Sequence, residues 1–267
     1  MSEPTLEHWS DAEAYHRYVG RWSALVAREF VAWLDIPAGS DWLDVGSGAG
    51  DVTLAVLNTA EPASVQGIDL SPGYAAYARQ RIADERAGFE VDDAASLATK
   101  ADDTFDAVIS GLVLNFVPAP ASAARSMARV ARPGGCVAAY VWDYADQMQF
   151  MRYFWDAAIE LFPETADLDE AARFSFCNPT GLTRLWESAG LLQVETRAID
   201  IPTIFSGFDD FWSPFLGGQG SAPTFAMSLT ESDRAALRNE LGARLTYHTD
   251  GSIHLIARAW AVRGRAG

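Results

Sequence analysis

Short apolar runs alternate with stretches of helical periodicity through the first half of the chain, and this alternation sets the expected architecture. The apolar runs predict buried strands at residues 41–46, 64–70, 88–92, 105–110 and 135–142. The spacing between them predicts helices from about residue 50, over 72–86 and over about 119–132. Alternating strands and helices predict a parallel sheet with helices on both faces.

Helical periodicity also flanks this region. Before it, Ser10–Glu13 is typical of a capping box that opens a helix, and this helix ends before Pro37. After residue 142 the pattern predicts a helix outside the sheet and then a loop, within residues 143–176. The elements expected further on are a helix at 179–190, a strand at about 191–203, a helix at about 230–245 and a long strand at 252–262.

A glycine-rich turn lies where the first predicted strand meets the first helix of this region. Gly46, Gly48 and Gly50 stand at alternate positions after the strand. Glycine lets a backbone approach a ligand closely, and the N–H groups that open a helix favour a negative group. The pattern lacks the third glycine of the dinucleotide fingerprint and the Gly-Lys-Ser/Thr of a P-loop. Taken alone, it is equally compatible with a tight structural turn.

Polar residues close the later strands. Asp69 ends the second strand, Asp93 follows the third and Ser110 ends the fourth. Ligands of open α/β sheets bind outside the carboxyl ends of the strands, so these residues and Gly46 are expected to converge on one crevice. An acid about twenty residues beyond the glycine turn can accept hydrogen bonds from two ribose hydroxyls.

This series of motifs resembles the class I S-adenosylmethionine-dependent methyltransferases, in the small-molecule branch that includes the quinone-ring C-methyltransferases. The resemblance covers residues 40–142 and implies S-adenosyl-L-methionine as cofactor and methyl transfer to a small molecule (EC 2.1.1). The implied fold is α/β, with a Rossmann-like, mostly parallel seven-stranded sheet of order 3-2-1-4-5-7-6 whose last strand is antiparallel. One domain over residues 1–267 is expected, with a helical lid at 1–36 and cap insertions at 143–176 and 205–246.

The resemblance also implies contacts between this core and the cofactor. The glycine turn would admit the cofactor, the acid of the second strand would hold the ribose, and the next residue would pack on the adenine. The acid after the third strand would contact the adenine amino edge, unless it is an exposed loop acid or a helix cap; Asp92 competes for that role. Backbone leaving the fourth strand would face the methionine amino group. The residues concerned are Gly46, Ser47, Gly48, Asp69, Leu70, Asp93, Ala94, Ser110 and Gly111.

The first predicted helix contains side chains that are large for simple core packing, among them Tyr18, Arg21 and Trp22. In the family, the segment before the first strand often folds over the cofactor. Arg21 would then meet the methionine carboxylate, and an aromatic ring near the sulfonium would gain about 1 kcal/mol of cation–π energy. The alternative is a helix that only packs on the sheet.

Composition restricts the class of substrate. The net charge of −16 argues against a phosphate-binding surface and therefore against nucleic acid, although abundant acids also keep a protein in solution. The 49% hydrophobic content supports a sizeable core. Cys136 and Cys177 are too few for a disulfide framework, and no apolar run is long enough for a membrane span. A cytoplasmic protein that acts on a small molecule, without a membrane partner, is expected; the oligomeric state stays open.

Methyl transfer needs no protein nucleophile, because positioning and the exclusion of water supply most of the effect. An oxygen or carbon acceptor can also need a base. The candidates are His16, His248, Tyr18, Tyr140 and Asp143. None is assigned as catalytic, since a single histidine is more often a surface or packing residue. The four histidines have no metal-ligand spacing, so no metal is expected.

Aromatic residues of the predicted cap indicate an apolar chamber for the acceptor. Alternatively, they form the core of the cap itself. They are Trp155, Phe205, Phe208, Phe211, Trp212 and Phe215. Two further functions stay open beside methyl transfer. One is a relative that binds S-adenosylmethionine or S-adenosylhomocysteine without methylating anything. The other is an NAD-type oxidoreductase, which needs the missing glycine and a proton-transfer pair.

Overall fold

The apolar run at residues 41–46 forms the strand β1 (Asp41–Val45) in the computed structural model of the protein. Trp42, Leu43 and Val45 are completely buried. Burial of a large apolar side chain contributes about 1.5–3 kcal/mol, so this short strand is held mainly by its packing. It pairs in parallel with a strand on each side, which places the turn that follows it at the carboxyl edge of the sheet.

The structure describes residues 20–217 and 220–267. The predicted capping box Ser10–Glu13, the base candidate His16 and the proposed lid residue Tyr18 lie outside the described residues.

The chain divides into two compact units, which are named here by their content. The core unit comprises residues 23–142, 176–199 and 259–267, and the described residues of the aromatic unit are 20–22, 143–175, 200–217 and 220–258. The single domain over residues 1–267, with its lid and cap segments, stays a prediction.

Seven strands form one sheet of order β3-β2-β1-β4-β5-β7-β6, which confirms the predicted fold class. The strands β1 to β5 pair in parallel and β7 runs antiparallel to β5. The remaining strands are β2 (Ser64–Asp69), β3 (Ala87–Val91), β4 (Phe105–Gly111), β5 (Ala131–Trp142), β6 (Leu192–Phe205) and β7 (Ile253–Arg265).

Helices connect the strands and fill the segments that flank them. The α-helices are α1 (Arg21–Leu34), α2 (Asp51–Thr59), α3 (Pro72–Arg81), α4 (Pro120–Val130), α5 (Gln149–Leu161), α6 (Glu170–Arg173), α7 (Pro179–Ser188), α8 (Phe208–Trp212), α9 (Ser221–Ser228) and α10 (Glu231–Arg244). Short 3₁₀ helices occupy Leu114–Phe116, Pro163–Leu168 and Ser213–Leu216. Within the described ranges, none of the helices combines the length and apolarity that crossing a bilayer demands.

The helix α3 ends five residues before the predicted boundary at residue 86, which was therefore wrong. Ile82 leaves the helix with extended backbone angles, φ −111° and ψ 92°. Its side chain is buried and lies against Gly50, where an added Cβ would stand 2.5 Å from the Ile82 Cδ1. Ile82 thus packs against a residue that is distant in the chain, and local periodicity does not reveal this contact.

A buried tryptophan fastens α7 to the sheet within the core unit. The Trp186 Nε1–H donates to the Val137 carbonyl in β5 at 2.9 Å, and the side chain is fully buried. Arg263 in β7 donates to the Trp33 carbonyl at 2.8 Å, and its guanidinium lies 4.6 Å from the centre of the Trp33 ring. The Arg263 contacts hold β7 beside α1.

The aromatic unit has a core of its own made from stacked rings. Phe215 lies between Phe150 and Phe154, with both centroid distances 4.4 Å. Phe205 and Phe211 join the same cluster, and all five rings are fully buried. These rings therefore pack on one another, as in the alternative interpretation of the cap aromatics.

Candidate cofactor-binding site

The glycine turn after β1 is shaped by two backbone hydrogen bonds. The N–H groups of Gly46 and Ser47 both donate to the Ile68 carbonyl in β2, each at 2.8 Å. Gly46 has φ +76°, and a Cβ there would lie 2.5 Å from the Val113 Cγ1. Gly48 has φ +49°, yet no atom lies within 4 Å of its would-be Cβ. The turn is thus packed at its start and open at its tip, where a ligand can approach the backbone.

The carboxylate of Asp69 closes this turn from the next strand. Its Oδ2 accepts from the Gly48 N–H at 3.0 Å and its Oδ1 accepts from the Ser71 N–H at 2.8 Å. Burial raises the pKa of Asp69, against the lowering effect of these two N–H groups. The next side chain, Leu70, is 71% exposed at the same strand end. An acid and an exposed apolar side chain therefore adjoin the open tip.

Two buried polar atoms near the turn have no hydrogen-bond partner among the described residues. They are the Ser47 Oγ and the Asp44 Oδ1. The other Asp44 oxygen accepts from the Thr53 Oγ1 at 2.7 Å. Burial raises the pKa of Asp44 to about 7, and the charges of Asp69 and Asp51 add to this. Unsatisfied buried polar atoms are costly, so this turn fits a polar ligand better than an apolar one.

The two acids after β3 have different partners. Asp92 is buried and accepts from the Thr99 N–H at 3.1 Å and the Thr99 hydroxyl at 2.6 Å. Burial would raise the pKa of Asp92, but these hydrogen bonds outweigh it and hold the pKa below its ordinary value. Asp93 is exposed, and its Oδ1 accepts from the Ala95 N–H at 2.9 Å. Asp92 therefore has the structural contacts, and Asp93 is the accessible acid beside Ala94.

At the end of β4, the side-chain positions are buried or crowded. Only the backbone there could contact a ligand. The Ser110 hydroxyl donates to the Val45 carbonyl at 2.8 Å and is completely buried. A Cβ on Gly111 would lie 2.6 Å from the Val52 Cγ2 and 2.7 Å from the Tyr140 hydroxyl. A larger residue at 111 would therefore collide with its neighbours.

Arg21 and Trp22, two residues of the predicted lid, belong to the aromatic unit. The Arg21 Nη1 donates to the Asp210 Oδ1 at 3.1 Å. Trp22 is 4% exposed and makes edge contacts with the rings of Phe150 and Phe205. Trp22 is thus a packing residue as well as a proposed cofactor neighbour.

The described base candidates lie in three different environments. Tyr140 is buried with its ring 4.7 Å from that of Phe30. His248 is exposed and stacks on His254 at 3.9 Å. Asp143 is buried at the start of its segment. Groups of three or more potential metal ligands are absent from the part of the chain that the structure describes.

Three site neighbours escaped the sequence analysis. Thr53 bonds Asp44, Asp210 bonds Arg21, and the buried Glu170 accepts a hydrogen bond from Trp155. The Arg21–Asp210 pair is separated by 189 positions, so no local pattern indicates it. A Thr at 53 on the inner side of a predicted helix was a signal, but only the fold shows which acid it meets.

Comparisons with known proteins agree with this geometry. A family model described as a methyltransferase domain matches residues 43–139. A 2-methyl-6-phytyl-1,4-hydroquinone methyltransferase from Synechocystis sp. is 30% identical over 188 residues, which cover 69% of this chain and 57% of that relative. A demethylmenaquinone methyltransferase from Bacillus licheniformis is 30% identical over 174 residues, which cover 61% of this chain and 75% of that relative.

A solved structure supports the fold. A Bacillus halodurans C-125 protein, provisionally described as a methyltransferase, superposes with a TM-score of 0.61 at 16% identity, covering 90% of this chain and 98% of that one. The protein is therefore a Rossmann-like α/β protein. On its sequence relatives, the chain belongs to the class I S-adenosylmethionine-dependent methyltransferases (EC 2.1.1), which move the methyl group of S-adenosyl-L-methionine to a small-molecule acceptor.

Proposed function

We propose that the protein methylates a ring carbon of a small hydroquinone, with S-adenosyl-L-methionine as the methyl donor. The acceptor class rests on the names of the two relatives at 30% identity, which are hydroquinone and menaquinone-pathway methyltransferases. The observation that carries the donor is the hydrogen bond from the Gly48 N–H to Asp69, because it joins the open turn to the expected ribose-binding acid. A net charge of −16 supports a small molecule rather than a nucleic acid as acceptor.

The proposed cofactor contacts are the ones that the sequence predicts. Asp69 accepts from the Gly48 N–H of the turn and is proposed to accept also from the ribose hydroxyls. The exposed Leu70 is proposed to pack on the adenine. The hydroxyl of Ser47 is free to pair with the ligand. The other proposed contacts are Tyr18, Arg21, Trp22, Gly46, Gly48, Asp93, Ala94, Ser110 and Gly111.

Positioning is the main contribution that this chain makes to the reaction. When bound, the cofactor supplies an electrophilic methyl group, so the protein's part is to orient the two reactants and to exclude water. No side chain is assigned as a base. Segments 143–176 and 205–246 are proposed to supply the acceptor contacts. Neither Cys136 nor Cys177 forms a disulfide, which supports a reducing cytoplasmic setting.

The test is transfer of an isotopically labelled methyl group from S-adenosyl-L-methionine to chemically reduced 1,4-hydroquinones that carry one alkyl chain. A singly methylated ring product is expected with the parent chain and with Glu29→Ala, an exposed acid on α1. Asp69→Ala should lose most of the product. A parent chain that binds the cofactor but methylates none of these acceptors would contradict the proposed acceptor class, and would favour a binding relative without methyl transfer.

A further inference from the structure

The last residue of α3 reaches the glycine turn within the core unit. The Arg81 Nη1 donates to the Ala49 carbonyl at 2.8 Å and to the Asp51 Oδ1 at 2.7 Å. These two acceptors are 32 and 30 positions away in the chain, in the segment that joins β1 to α2. One guanidinium nitrogen therefore connects the turn, the start of α2 and the end of α3.

An apolar side chain from α3's end packs on the next residue of the same turn. Gly50 has φ +87°, and a Cβ there would lie 2.5 Å from the Ile82 Cδ1. Ile82 is buried, so packing fixes its position. The consecutive residues Arg81 and Ile82 thus contact the consecutive residues Ala49 and Gly50, one pair through a hydrogen bond and the other through packing.

The residue that Arg81 holds also has a free backbone donor. The Ala49 N–H has no hydrogen-bond acceptor among the residues that the structure describes, and Ala49 is half-buried. The N–H groups on both sides are occupied, because Gly48 donates to Asp69 at 3.0 Å and Gly50 donates to the Ser47 carbonyl at 2.7 Å. Fixing the Ala49 carbonyl limits the rotation of this residue's backbone, and so limits where its N–H points.

The ion pair with Asp51 keeps the guanidinium beside the turn. The side chains of Arg81 and Asp51 are 33% and 16% exposed. Arg81 lies in the last turn of α3 and Asp51 in the first turn of α2, which are the helix ends that favour a cation and an anion, respectively. Both helices therefore stabilise the charge that each residue brings to the pair.

We propose that Arg81 is a positioning residue, which holds the glycine turn in the shape that admits the cofactor. The proposal rests on the proposed role of this turn as the cofactor site, and it adds a residue that acts through the backbone of the turn. The hydrogen bond to the Ala49 carbonyl carries the effect, and Asp51 keeps the guanidinium in place. A turn that is ordered before binding strengthens affinity, because less conformational freedom is lost when the ligand binds.

The test is calorimetry with S-adenosyl-L-methionine and S-adenosylhomocysteine on the parent chain and three variants. Arg81→Met should weaken binding of both compounds about tenfold, and equally, because the shape of the turn does not distinguish a sulfonium from a thioether. Arg81→Lys keeps a donor for the carbonyl and should recover part of the affinity. Asp51→Asn leaves the Arg81–Ala49 hydrogen bond possible, and should change the affinity less than about twofold.

A second readout uses the protein without a ligand. In Arg81→Met, amide hydrogen exchange should be about tenfold faster at Gly48 and Gly50, and unchanged at Leu43 in β1. The control is Arg79→Met, which removes another arginine of α3 that donates to the Phe89 carbonyl in β3. This variant should keep the parental affinity and the parental exchange rates in the turn.

Thermal unfolding shows whether each variant is folded, and Arg81→Gln replaces Arg81→Met if the latter is unstable. Parental affinity or parental exchange rates in folded Arg81→Met would overturn the proposal. A loss of affinity for only one of the two compounds would also overturn it, because that result would assign Arg81 an electrostatic role. Equal weakening by Arg79→Met would show a general effect of α3 instead. A folded parent that binds neither compound would contradict the proposed function and, with it, this role of Arg81.

Discussion

The carboxylate of Asp69 accepts a hydrogen bond from the backbone N–H of Gly48 at 3.0 Å. The bond joins the end of β2 to the tip of the turn after β1, so the two strands present one polar edge. Because Asp69 is held by backbone groups alone, its position depends on the shape of the turn. Substitutions in the turn are therefore expected to show which positions matter for the free energy of unfolding and which matter for cofactor affinity.

Gly46→Ala and Gly48→Ala should have different consequences. At Gly46 the new methyl group meets Val113 at 2.5 Å, so strain and crowding together should lower the free energy of unfolding by about 2–4 kcal/mol. At Gly48 the space is open, and only the positive φ costs about 1 kcal/mol. Urea unfolding measures the free energy of unfolding of each variant, and calorimetry measures its affinity for the cofactor. Gly48→Ala should bind the cofactor at least about tenfold more weakly while staying folded, a loss of about 1.4 kcal/mol; unchanged affinity would speak against the open tip as a ligand site.

Asp44 should make stability depend on pH. Its pKa is raised to about 7 in the folded state from an ordinary 3.8, so the folded state holds the proton more tightly. The resulting stability is fully present below about pH 4 and is lost as the pH rises through about 7, by at most about 4 kcal/mol. Asp44→Asn removes this titration and still offers an oxygen to Thr53.

The measurement is the difference in the free energy of unfolding between the parent and Asp44→Asn from pH 5 to pH 8. The variant should gain on the parent from pH 5 to about pH 7, and the difference should then level off. Asp102→Asn, which changes an exposed acid, serves as the control. Parallel curves for the parent and Asp44→Asn would show that Asp44 does not titrate in this range.

Substitutions of the adjacent acids Asp92 and Asp93 should have different effects, one on stability and the other on cofactor binding. Asp92→Ala loses the hydrogen bonds from Thr99 inside the protein, and should lower the free energy of unfolding by about 1–3 kcal/mol. Asp93→Ala removes an exposed acid with one local bond, and should cost less than about 1 kcal/mol but weaken cofactor binding. Thermal unfolding and calorimetry on both variants test this. If Asp92→Ala is stable but binds the cofactor more weakly, then Asp92, and not Asp93, is the acid that contacts the cofactor.

Cys136 should resist alkylation in the native protein. It is buried in β5, and burial raises the pKa of its thiol to about 11, so the reactive thiolate is scarce at pH 8. In a Cys177→Ser background, iodoacetamide should label Cys136 only after denaturation. Rapid labelling of the folded protein would show that β5 opens readily.

The sequence predicted helices and strands well where a local pattern determines them. It predicted their boundaries less well where contacts with distant side chains are involved. The buried strand Asp41–Val45 and the acid at Asp69 follow from apolar runs and turn chemistry. The sheet order came from the family resemblance, since spacing alone does not choose among topologies. Ile82, the residue that follows α3, lies against Gly50 across the fold, and no local window of the sequence contains both residues.

The site shows the same division. Residues that act through the backbone, such as Gly48, are marked by a motif. Side-chain partners such as Thr53 for Asp44 and Asp210 for Arg21 are not, because each pairing requires the folded chain to bring the two together.

The most direct test of the central claim is calorimetric binding of S-adenosyl-L-methionine and S-adenosylhomocysteine to the parent chain, Asp69→Ala and the control Glu29→Ala. Dissociation constants on the order of micromolar are expected for the parent and the control, and binding should be lost in folded Asp69→Ala. A folded parent chain that binds neither compound, or an Asp69→Ala variant that binds both as tightly as the parent, would contradict it.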